Sequence, residues 1–200
     1  MATAAEHRPR RGRGRRPADE VRAEILAAAG DLLIADGMAA FTIDKVAARS
    51  GASKMTIYKW WPSKGALALD GYFHRVKEQL EFPDTGDIET DLRAQLHAFL
   101  AVVRESPAGS VIAELIGQAQ SDPDLKAAYL QSYSAPRRAM AVSALETAKA
   151  RGQLRADLDA ETVVDQLWGA CYHRLLIPDQ PLTEEFVDAL VDNLFGGIAP

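Results

Sequence analysis

The stretch TIDKVAARSGASKMTIYKWWPSK, residues 42–64, holds two short helical patterns with a glycine between them. Thr42 precedes the first pattern, and its hydroxyl can accept a hydrogen bond from a backbone N–H that the first helical turn leaves unbonded. Gly51 ends that pattern at a position where glycine readily adopts a left-handed backbone conformation. Ser53 precedes the second pattern as Thr42 precedes the first. The stretch therefore predicts two helices joined by a tight turn, a helix-turn-helix.

The second of these helices, expected over 54–61, has two different faces. Ile57 and Trp61 are four residues apart and are expected to point into the protein. The opposite face carries two cations, a thioether and a phenol, contributed by Lys54, Met55, Tyr58 and Lys59. This mixture suits the major groove of DNA, which presents hydrogen-bond acceptors and thymine methyl groups on its floor and phosphates along its rims. A surface helix without a ligand is the alternative, since helix-turn-helix shapes also occur in proteins that do not bind DNA.

A longer series of positions around this motif fits a known signature. It consists of Phe41-Thr42, Val46-Ala47, Ser50-Gly51-Ala52-Ser53 and Thr56-Ile57-Tyr58-Lys59-Trp60-Trp61-Pro62-Ser63-Lys64. In this series the chain resembles the DNA-binding domain of the TetR family of bacterial transcriptional repressors. Met55, Trp60 and Gly65 depart from the family pattern, in which glycine, tyrosine or histidine, and glutamate respectively are common. Because Met55 and Trp60 lie on or beside the expected DNA face, no operator sequence can be carried over from a relative.

The resemblance implies an all-α fold in which a three-helix, helix-turn-helix domain precedes a helical domain for ligand binding and dimerisation. It also implies a homodimer that binds a double-stranded DNA operator and releases it when a small-molecule effector binds. The segments Ala135-Pro136-Arg137-Arg138 and Tyr172-His173-Arg174-Leu175-Leu176 are similar to one type of C-terminal domain in the family. We therefore divide the chain into a disordered basic arm over 1–16, a DNA-binding domain over 17–65 and a ligand-binding and dimerisation domain over 66–200.

The candidate DNA-binding residues of the motif fall into two groups. Base contacts are expected from Lys54, Met55 and Lys59. Contacts that position the sugar-phosphate backbone are expected from Thr42, Thr56, Tyr58, Trp60 and Lys64, and Ser53 completes the set. Lys64 stands beside a helix N-terminus, where backbone N–H groups and a cation together favour a phosphate.

The first 16 residues contain six arginines and two glycines, and no large apolar residue follows Met1. Such a segment cannot bury enough apolar surface to order itself, so we expect it to be disordered in the free protein. It is either a solubilising tail or an arm that lies along phosphates or inserts arginine into the minor groove. As an arm it would use Arg13, Arg15 and Arg16, which lie closest to the folded domain.

Charge is divided unevenly along the 200 residues. Residues 1–65 hold 12 Lys and Arg against 7 Asp and Glu, a net charge of +5, whereas residues 66–200 hold 11 against 21, a net charge of −10. A basic N-terminal part and an acidic remainder are expected if only the N-terminal part approaches DNA. No apolar run approaches the ~18 residues that a membrane span requires. A single cysteine, Cys171, and the lack of an export signal favour the cytoplasm.

Helical periodicity continues through the rest of the chain, with no strand pattern that hairpin turns would punctuate. A first helix over 18–36 is expected to cover the helix-turn-helix from behind. A helix over 64–80 is expected to join the two domains, and the resemblance implies that it transmits the ligand signal. Pro136 is expected to kink or break the helix that begins at Pro123. The other expected helices cover 88–105, 110–120, 137–151, 160–176 and 184–195.

The last two helices are more apolar than a monomer requires. Their apolar residues are Leu167, Trp168, Ala170, Cys171, Leu175, Phe186, Leu190, Val191, Leu194 and Phe195. Pairing these helices with their two-fold copies would form a four-helix bundle and hence a homodimer. An ordinary intramolecular core is the alternative.

The effector site is less clearly marked in the sequence. By resemblance, a cavity is expected among the apolar helix faces that carry His97, Phe99, Tyr129, Tyr133, Met140, Trp168 and Tyr172. Aromatic residues with a polar tip suit a mostly apolar pocket with a few orienting hydrogen bonds, although each could also belong to a filled core. We expect no cofactor and no metal site, because His97 and His173 have no cysteine or carboxylate at ligand spacing on the same face.

Three classes of function are compatible with these features to different degrees. The leading hypothesis is a ligand-responsive transcriptional repressor that binds a palindromic operator. A nucleoid-type protein, in which the arginine arm binds DNA without sequence preference, is the alternative. An enzyme fits least, since the sequence contains no ordered Ser/His/Asp set, no phosphate-binding glycine loop and no paired metal ligands.

Overall fold

The computed structural model describes residues 16–104 and 107–197, which form helices joined by short turns, with no β-strand among them. The prediction of an all-α fold is confirmed. The α-helices are α1 (Ala18–Ala40), α2 (Ile43–Ser50), α3 (Lys54–Trp60), α4 (Lys64–Val76), α5 (Ile88–Arg104), α6 (Ala108–Ala119), α7 (Pro123–Tyr129), α8 (Ala135–Ala150), α9 (Ala160–Leu176) and α10 (Glu184–Gly196). A 3₁₀ turn (Lys77–Leu80) continues α4, and a π-helical segment (Leu130–Ser134) lies between α7 and α8.

Helices α2 and α3 form the predicted helix-turn-helix. Thr42 caps α2, since its hydroxyl accepts a hydrogen bond from the Lys45 N–H at 3.2 Å. Ser53 caps α3 by accepting from the Thr56 N–H at 3.1 Å. Gly51 between the helices has a φ of 68°, a left-handed conformation that a β-carbon disfavours. The local signals in the sequence therefore define both ends of the turn.

Helix α1 covers the helix-turn-helix from behind, as predicted. Its helical geometry is interrupted at Gly37, whose φ is 73°, one residue beyond the expected end. The small core between α1, α2 and α3 consists of Ile25, Ala29, Leu33, Phe41, Val46, Ile57 and Trp61, none of which exposes more than 2% of its surface. Burial of each large apolar side chain in such a core stabilises the fold by about 1.5–3 kcal/mol.

Helix α4 packs against helices from both halves of the chain. It crosses α1 at Gly71, where a β-carbon would lie 2.7 Å from the β-carbon of Ala29. It also packs against α6 and α7, and the Leu125 side chain lies 3.3 Å from the place of a β-carbon on Gly65. The predicted connecting helix over 64–80 is thus present as α4 and its 3₁₀ turn.

Pro136 does not break the helix that begins at Pro123, so the break, one of the two predicted outcomes, was wrong. Helical backbone continues from α7 through the π-helical segment into α8. The Ala135 N–H donates to the Leu130 carbonyl, five residues earlier. This wider turn moves the carbonyl groups that the proline ring would otherwise crowd, and it removes the need for a donor at Pro136.

Helix α5 lies at the centre of the C-terminal half. Its residues Leu92, Leu96 and Phe99 are buried, and α6, α8 and α10 pack around it. Helix α9 packs against α6, α8 and α10. Within 16–104 and 107–197, no helix has both the length and the apolar character that crossing a bilayer demands.

Candidate DNA-binding surface and effector cavity

The side of α3 opposite the small core is open to solvent. Met55 exposes 81% of its surface and Tyr58 exposes 51%. Lys59 is exposed on the same helix, whereas Ile57 and Trp61 are buried, as predicted. Large apolar side chains that are exposed together and interleaved with cations mark an interaction surface. We call the exposed residues Lys54, Met55, Tyr58 and Lys59 the recognition face.

Lys54 of the recognition face is held by a carboxylate of the preceding helix. Its ammonium forms an ion pair with Asp44 of α2. A hydrogen bond from Lys54 to Asp44, together with the negative charge of that group, raises the pKa of Lys54 above its ordinary value. Because both side chains are largely exposed, the pair contributes little to stability. It does place the ammonium beside α2 when DNA is absent.

The end of α3 is attached to both α1 and α4 by directional contacts. The Trp61 indole nitrogen donates to Asp70 Oδ2 of α4 at 2.8 Å. The Arg22 guanidinium of α1 lies 5.6 Å from the centroid of the Trp61 ring, a cation–π distance. Trp60 is half-buried and packs edge-on against Trp61, with centroids 5.8 Å apart. The direction of α3 therefore depends on the position of α4.

The small polar residues that are candidates for DNA contact at the start of α2 and α3 also form hydrogen bonds within the protein. Thr42 and Ser53 are exposed, and each hydroxyl accepts the capping bond described above. Thr56 is half-buried, and its hydroxyl lies 2.8 Å from the Ser53 hydroxyl. These residues hold the N-terminal turns of both helices in shape.

The cations at the edges of the recognition face have different surroundings. Lys64 donates from Nζ to the Met38 carbonyl at 3.4 Å, and so joins the start of α4 to the end of α1. Arg16 forms an ion pair with Glu24 on α1. Arg13 and Arg15, with the rest of the predicted arm, lie outside the described residues.

A cavity of about 230 Å³ lies in the C-terminal half, among α5, α7, the π-helical segment, α8 and α9. Its lining consists of Phe82, Phe99, Tyr129, Tyr133, Ser134, Arg137, Arg138, Ala141, Val164, Asp165, Trp168, Gly169 and Tyr172. The Tyr172 hydroxyl donates to the Tyr133 hydroxyl at 3.4 Å. Phe73 of α4 stacks on the Tyr133 ring, with centroids 3.9 Å apart and planes within 2° of parallel. A wall of the cavity is therefore in direct contact with α4.

Comparison with known proteins gives two family models that match most of the chain. The model described as "Bacterial regulatory proteins, tetR family" matches residues 25–70. The model described as "Tetracyclin repressor-like, C-terminal domain" matches residues 82–194. The chain belongs to the TetR family. It is accordingly a helix-turn-helix transcriptional regulator and not an enzyme.

Individual relatives of this TetR-family protein are similar over nearly its whole length. The HTH-type transcriptional regulator YdeS of Bacillus subtilis is 40% identical over 185 residues, which cover 92% of each chain. The DNA-binding transcriptional repressor TetR of Mycobacteroides abscessus is 33% identical over 175 residues, which cover 86% of this chain and 90% of that one. The crystal structure of the TetR family transcription regulator SCO0332 is 58% identical, with a TM-score of 0.87, and covers 90% of this chain and 100% of its own.

Five of the seven candidate effector residues of this TetR-family protein line the cavity, namely Phe99, Tyr129, Tyr133, Trp168 and Tyr172. His97 does not, because it faces α10, where its Nε2 lies 2.9 Å from Asp188 Oδ1. Met140 does not either. It is 43% exposed and lies in a separate groove beside α8. His97 precedes Phe99 by two positions, which is about 200° around a helix, so both cannot face the same cavity.

The sequence did not assign the polar part of the lining. Arg137 and Arg138 belong to a segment that resembles the TetR family, but their phase on α8 could not be derived while Pro136 was expected to disrupt the helix. Asp165 has no distinguishing sequence signal, and Phe82 stands between the expected helices over 64–80 and 88–105. These residues are brought together by the way α8 and α9 pack.

The apolar residues of α9 and α10 divide into two groups. Leu167, Cys171 and Val191 are buried inside the chain, and Trp168 lines the cavity, so these four belong to the intramolecular core and cavity wall. Half-buried positions remain at Ala170, Leu175, Phe186, Leu190, Leu194 and Phe195. The surface available to a second subunit is therefore smaller than the full set of ten residues.

Proposed function

We propose that this TetR-family regulator is a ligand-responsive repressor that binds a palindromic operator as a homodimer and leaves it when an effector binds. The observation that carries the proposal is the recognition face, where Met55, Tyr58 and Lys59 project from a helix whose other side is locked into a core. The relative named a DNA-binding transcriptional repressor supports the direction of regulation. We also propose the cytoplasm as its location and the 17–65 segment as its DNA-binding domain.

In this proposal, the recognition face and its borders divide the work of binding DNA. Lys54, Met55 and Lys59 contact base edges in the major groove. Backbone contacts come from Thr42, Ser53, Thr56, Tyr58, Trp60 and Lys64. On binding, the Lys54 ammonium would leave Asp44 and contact the DNA. This is possible because an exposed ion pair stabilises the protein by at most about 1 kcal/mol.

A homodimer is proposed through the half-buried apolar residues of α9 and α10. The paired helices would form a four-helix bundle around a two-fold axis. Two copies of α3 separated by about 34 Å, one turn of DNA, would then read the two halves of a palindrome. Doubling the contacts in this way compensates for a recognition helix of only seven residues.

The path from effector to DNA is proposed to run through α4. A ligand in the cavity changes the position of Tyr133, which stacks on Phe73 of α4. Helix α4 in turn holds the end of α3 through the bond from Trp61 to Asp70. Effector and operator must then weaken each other by the same factor, since coupling between two binding sites is reciprocal.

The experiment that tests the proposal is selection of bound sequences from a random pool of DNA duplexes at physiological salt. Lys59→Ala is selected in parallel, with Lys126→Ala as the matched control, because Lys126 is an exposed lysine on α7. We expect the wild type and the control to enrich one palindrome with half-sites about one helical turn apart. Lys59→Ala should enrich it weakly or with a blurred base position.

Enrichment of general duplex without a consensus would refute sequence-specific repression. It would favour the nucleoid-type alternative, in which the segment over 1–16 supplies most of the contacts. That alternative also predicts an affinity that depends steeply on salt and hardly on sequence.

A further inference from the structure

The cavity lining carries one more positive than negative side chain. Three charged side chains belong to the lining, Arg137, Arg138 and Asp165. Arg138 is paired, since its Nη2 lies 3.0 Å from Asp165 Oδ2 and its Nε contacts Glu161. Throughout the described part of the chain, no carboxylate forms an ion pair with Arg137. The guanidinium of Arg137 is therefore the unneutralised charge of this cavity.

The bonds that Arg137 does make are to neutral acceptors. Its Nη1 donates to the Leu80 carbonyl. With the Gln95 amide in the orientation that satisfies both of its ends, Nη2 of Arg137 donates to Gln95 Oε1 at 2.6 Å. Burial lowers the pKa of Arg137 from its ordinary value, because the desolvation of the cation is not offset by an anion. A partly buried cation of this kind is stabilised by an anionic ligand that can reach it.

The phenols of the cavity are hydrogen-bond donors that lie beside flat apolar walls. Burial raises the pKa of Tyr129 to about 12, and it also raises the pKa values of Tyr133 and Tyr172. All three phenols therefore stay protonated at neutral pH. Tyr129 and Tyr133 can donate to an anion, whereas Tyr172 already donates to Tyr133. Phe99 and Trp168 add aromatic surface beside them. One guanidinium, several phenols and aromatic walls suit a ligand with an anionic end and a planar apolar body.

We propose that the effector of this regulator is a small aromatic carboxylic acid, bound as its anion, and that Arg137 binds the carboxylate. This inference rests on the proposed function, since it names the effector class of the same cavity. A volume of about 230 Å³ filled at the density of a protein interior accommodates about ten non-hydrogen atoms. A single guanidinium matches the two oxygens and the single negative charge of a carboxylate, whereas a phosphate monoester carries about −1.5 to −2 at neutral pH and would leave part of that charge unbalanced.

The same guanidinium connects the ligand to the end of α4. Leu80, whose carbonyl accepts from Arg137, is the last residue of the 3₁₀ turn that continues α4. A carboxylate on Arg137 competes with that carbonyl for the guanidinium N–H groups. Phe73, one helical turn before the end of α4, lies on Tyr133. An anion bound to Arg137 would thus affect two contacts of α4: the hydrogen bond from Arg137 to the Leu80 carbonyl and the stacking of Phe73 on Tyr133.

The test is calorimetric titration of the full-length protein with matched pairs of probes at neutral pH. Each pair is an acid and its primary amide: benzoate with benzamide, phenylacetate with phenylacetamide, and cinnamate with cinnamamide. The two members of a pair have nearly the same shape, but only the acid is charged. We expect at least one acid to bind about tenfold or more tightly than its amide, as one charge-assisted bidentate contact provides. A panel in which no acid binds more tightly than its amide would overturn the proposal.

Arg137→Gln identifies the residue responsible, because glutamine keeps a hydrogen-bond donor and removes the charge. In this variant we expect the acid and its amide to bind with equal affinity. The matched control is Arg155→Gln, which removes the same charge from an exposed arginine outside the cavity lining, and it should keep the preference for the acid. A preference that survives in Arg137→Gln, or disappears in the control, would place the anion elsewhere and overturn the proposal.

Circular dichroism establishes that each variant is folded. If Arg137→Gln unfolds, Arg137→Lys replaces it as the test. Lysine keeps the charge but cannot make the bidentate contact, so it should weaken binding of the acid and leave binding of the amide unchanged. Unaltered binding of the acid to this variant would also overturn the proposal.

Two readouts separate this inference from the proposed function. The preference for acid over amide is measured without DNA, so it stands even if sequence selection finds no operator. Once sequence selection has identified the operator, the preferred acid should lower the affinity of the protein for it, and the amide at the same concentration should not. An acid that binds through Arg137 but leaves operator affinity unchanged would overturn its assignment as the effector.

Discussion

Gly30 of α1 and Gly71 of α4 approach so closely that a β-carbon on Gly30 would lie 2.6 Å from the Gly71 carbonyl oxygen. A β-carbon on Gly71 would in turn lie 3.0 Å from the Gly30 nitrogen. Two helical backbones reach this distance only when neither carries a side chain at the crossing. The contact joins the helix behind the recognition face to the helix that touches the cavity wall.

Replacement of Gly71 tests this crossing. Gly71→Ala should lower the free energy of unfolding by about 1–3 kcal/mol, because α1 and α4 must separate to admit a methyl group. Gly117→Ala is the matched control, since Gly117 is an exposed glycine of α6 with no neighbouring atom within 4 Å. It should be neutral or stabilising by up to about 1 kcal/mol. Urea denaturation measures both, and equal stabilities would contradict the close packing.

Lys59 and Lys64 should affect DNA binding in different ways. Lys59 lies on the recognition face, so Lys59→Ala is expected to cost about 1–3 kcal/mol at the operator and to relax the preference at one base pair. Lys64 lies beside a helix N-terminus, so Lys64→Ala should weaken specific and non-specific DNA alike and reduce the salt slope by about 1. Fluorescence anisotropy over a series of salt concentrations distinguishes the two. An equal loss of specificity from both variants would refute the division between base and phosphate contacts.

The ion pair between Lys54 and Asp44 should restrain DNA binding. Asp44→Asn removes a negative charge beside the recognition face and releases the ammonium, so we expect affinity for any duplex to rise about threefold and the salt slope to steepen. Stability should change by less than about 1 kcal/mol, as for other exposed pairs. Asp179→Asn, in the loop after α9, is the control and should have no effect on DNA. Weaker operator binding by Asp44→Asn would mean that Asp44 orients Lys54 for its contact.

The thiol of Cys171 should be unreactive in the folded protein. It is fully buried, and burial raises its pKa to about 12. At pH 8 the thiolate fraction is then about one part in ten thousand, and it rises as the pH increases toward that pKa. Ellman's reagent at this pH should therefore detect no thiol in native protein and one thiol per chain in concentrated guanidinium chloride. Rapid reaction of one native equivalent would show that Cys171 is accessible and contradict its place in the core.

Leu194 should contribute to the dimer. It is half-buried on α10 and lies in a groove with Leu190 and Leu167. Leu194→Glu places a charge in the proposed four-helix bundle and should weaken dimerisation roughly a hundredfold, which sedimentation velocity measures. Leu130→Glu is the control, because Leu130 is 45% exposed in the π-helical segment and does not belong to the proposed interface helices. A monomer produced by the control, or a dimer unaffected by Leu194→Glu, would exclude these helices as the interface.

The limits of helices were predictable from short sequence signals. Asp159 accepts from the Thr162 N–H at 3.0 Å, and Thr183 accepts from the Phe186 N–H at 3.2 Å, so α9 and α10 begin where their caps predict. A cap depends on residues within one turn, which the sequence displays directly. Pro136 did not follow this rule, because a π-helical turn several residues earlier absorbed its effect.

The cavity lining was less predictable because it depends on helical phase and on helix crossings. The resemblance to the family, applied to the apolar helix faces, placed His97 and Phe99 beside the same cavity, but only Phe99 lines it. The pattern likewise could not tell that Cys171 faces the interior while nearby residues of α9 remain half-buried. Apolar periodicity shows that a helix has a buried stripe, but it does not say whether a cavity, a core or another subunit covers that stripe.

The sequence by itself determined the helix-turn-helix, the caps and the mixed composition of the recognition face, because each depends on residues within a few positions of one another. Only the tertiary structure decided that Lys54 pairs with Asp44, that the backbones meet at Gly71, and that Arg137 faces the cavity with no carboxylate paired to it among residues 16–104 and 107–197. Those relationships join residues from different helices. They arise from the angles at which the helices cross and the rotation of each about its axis, which no local pattern encodes.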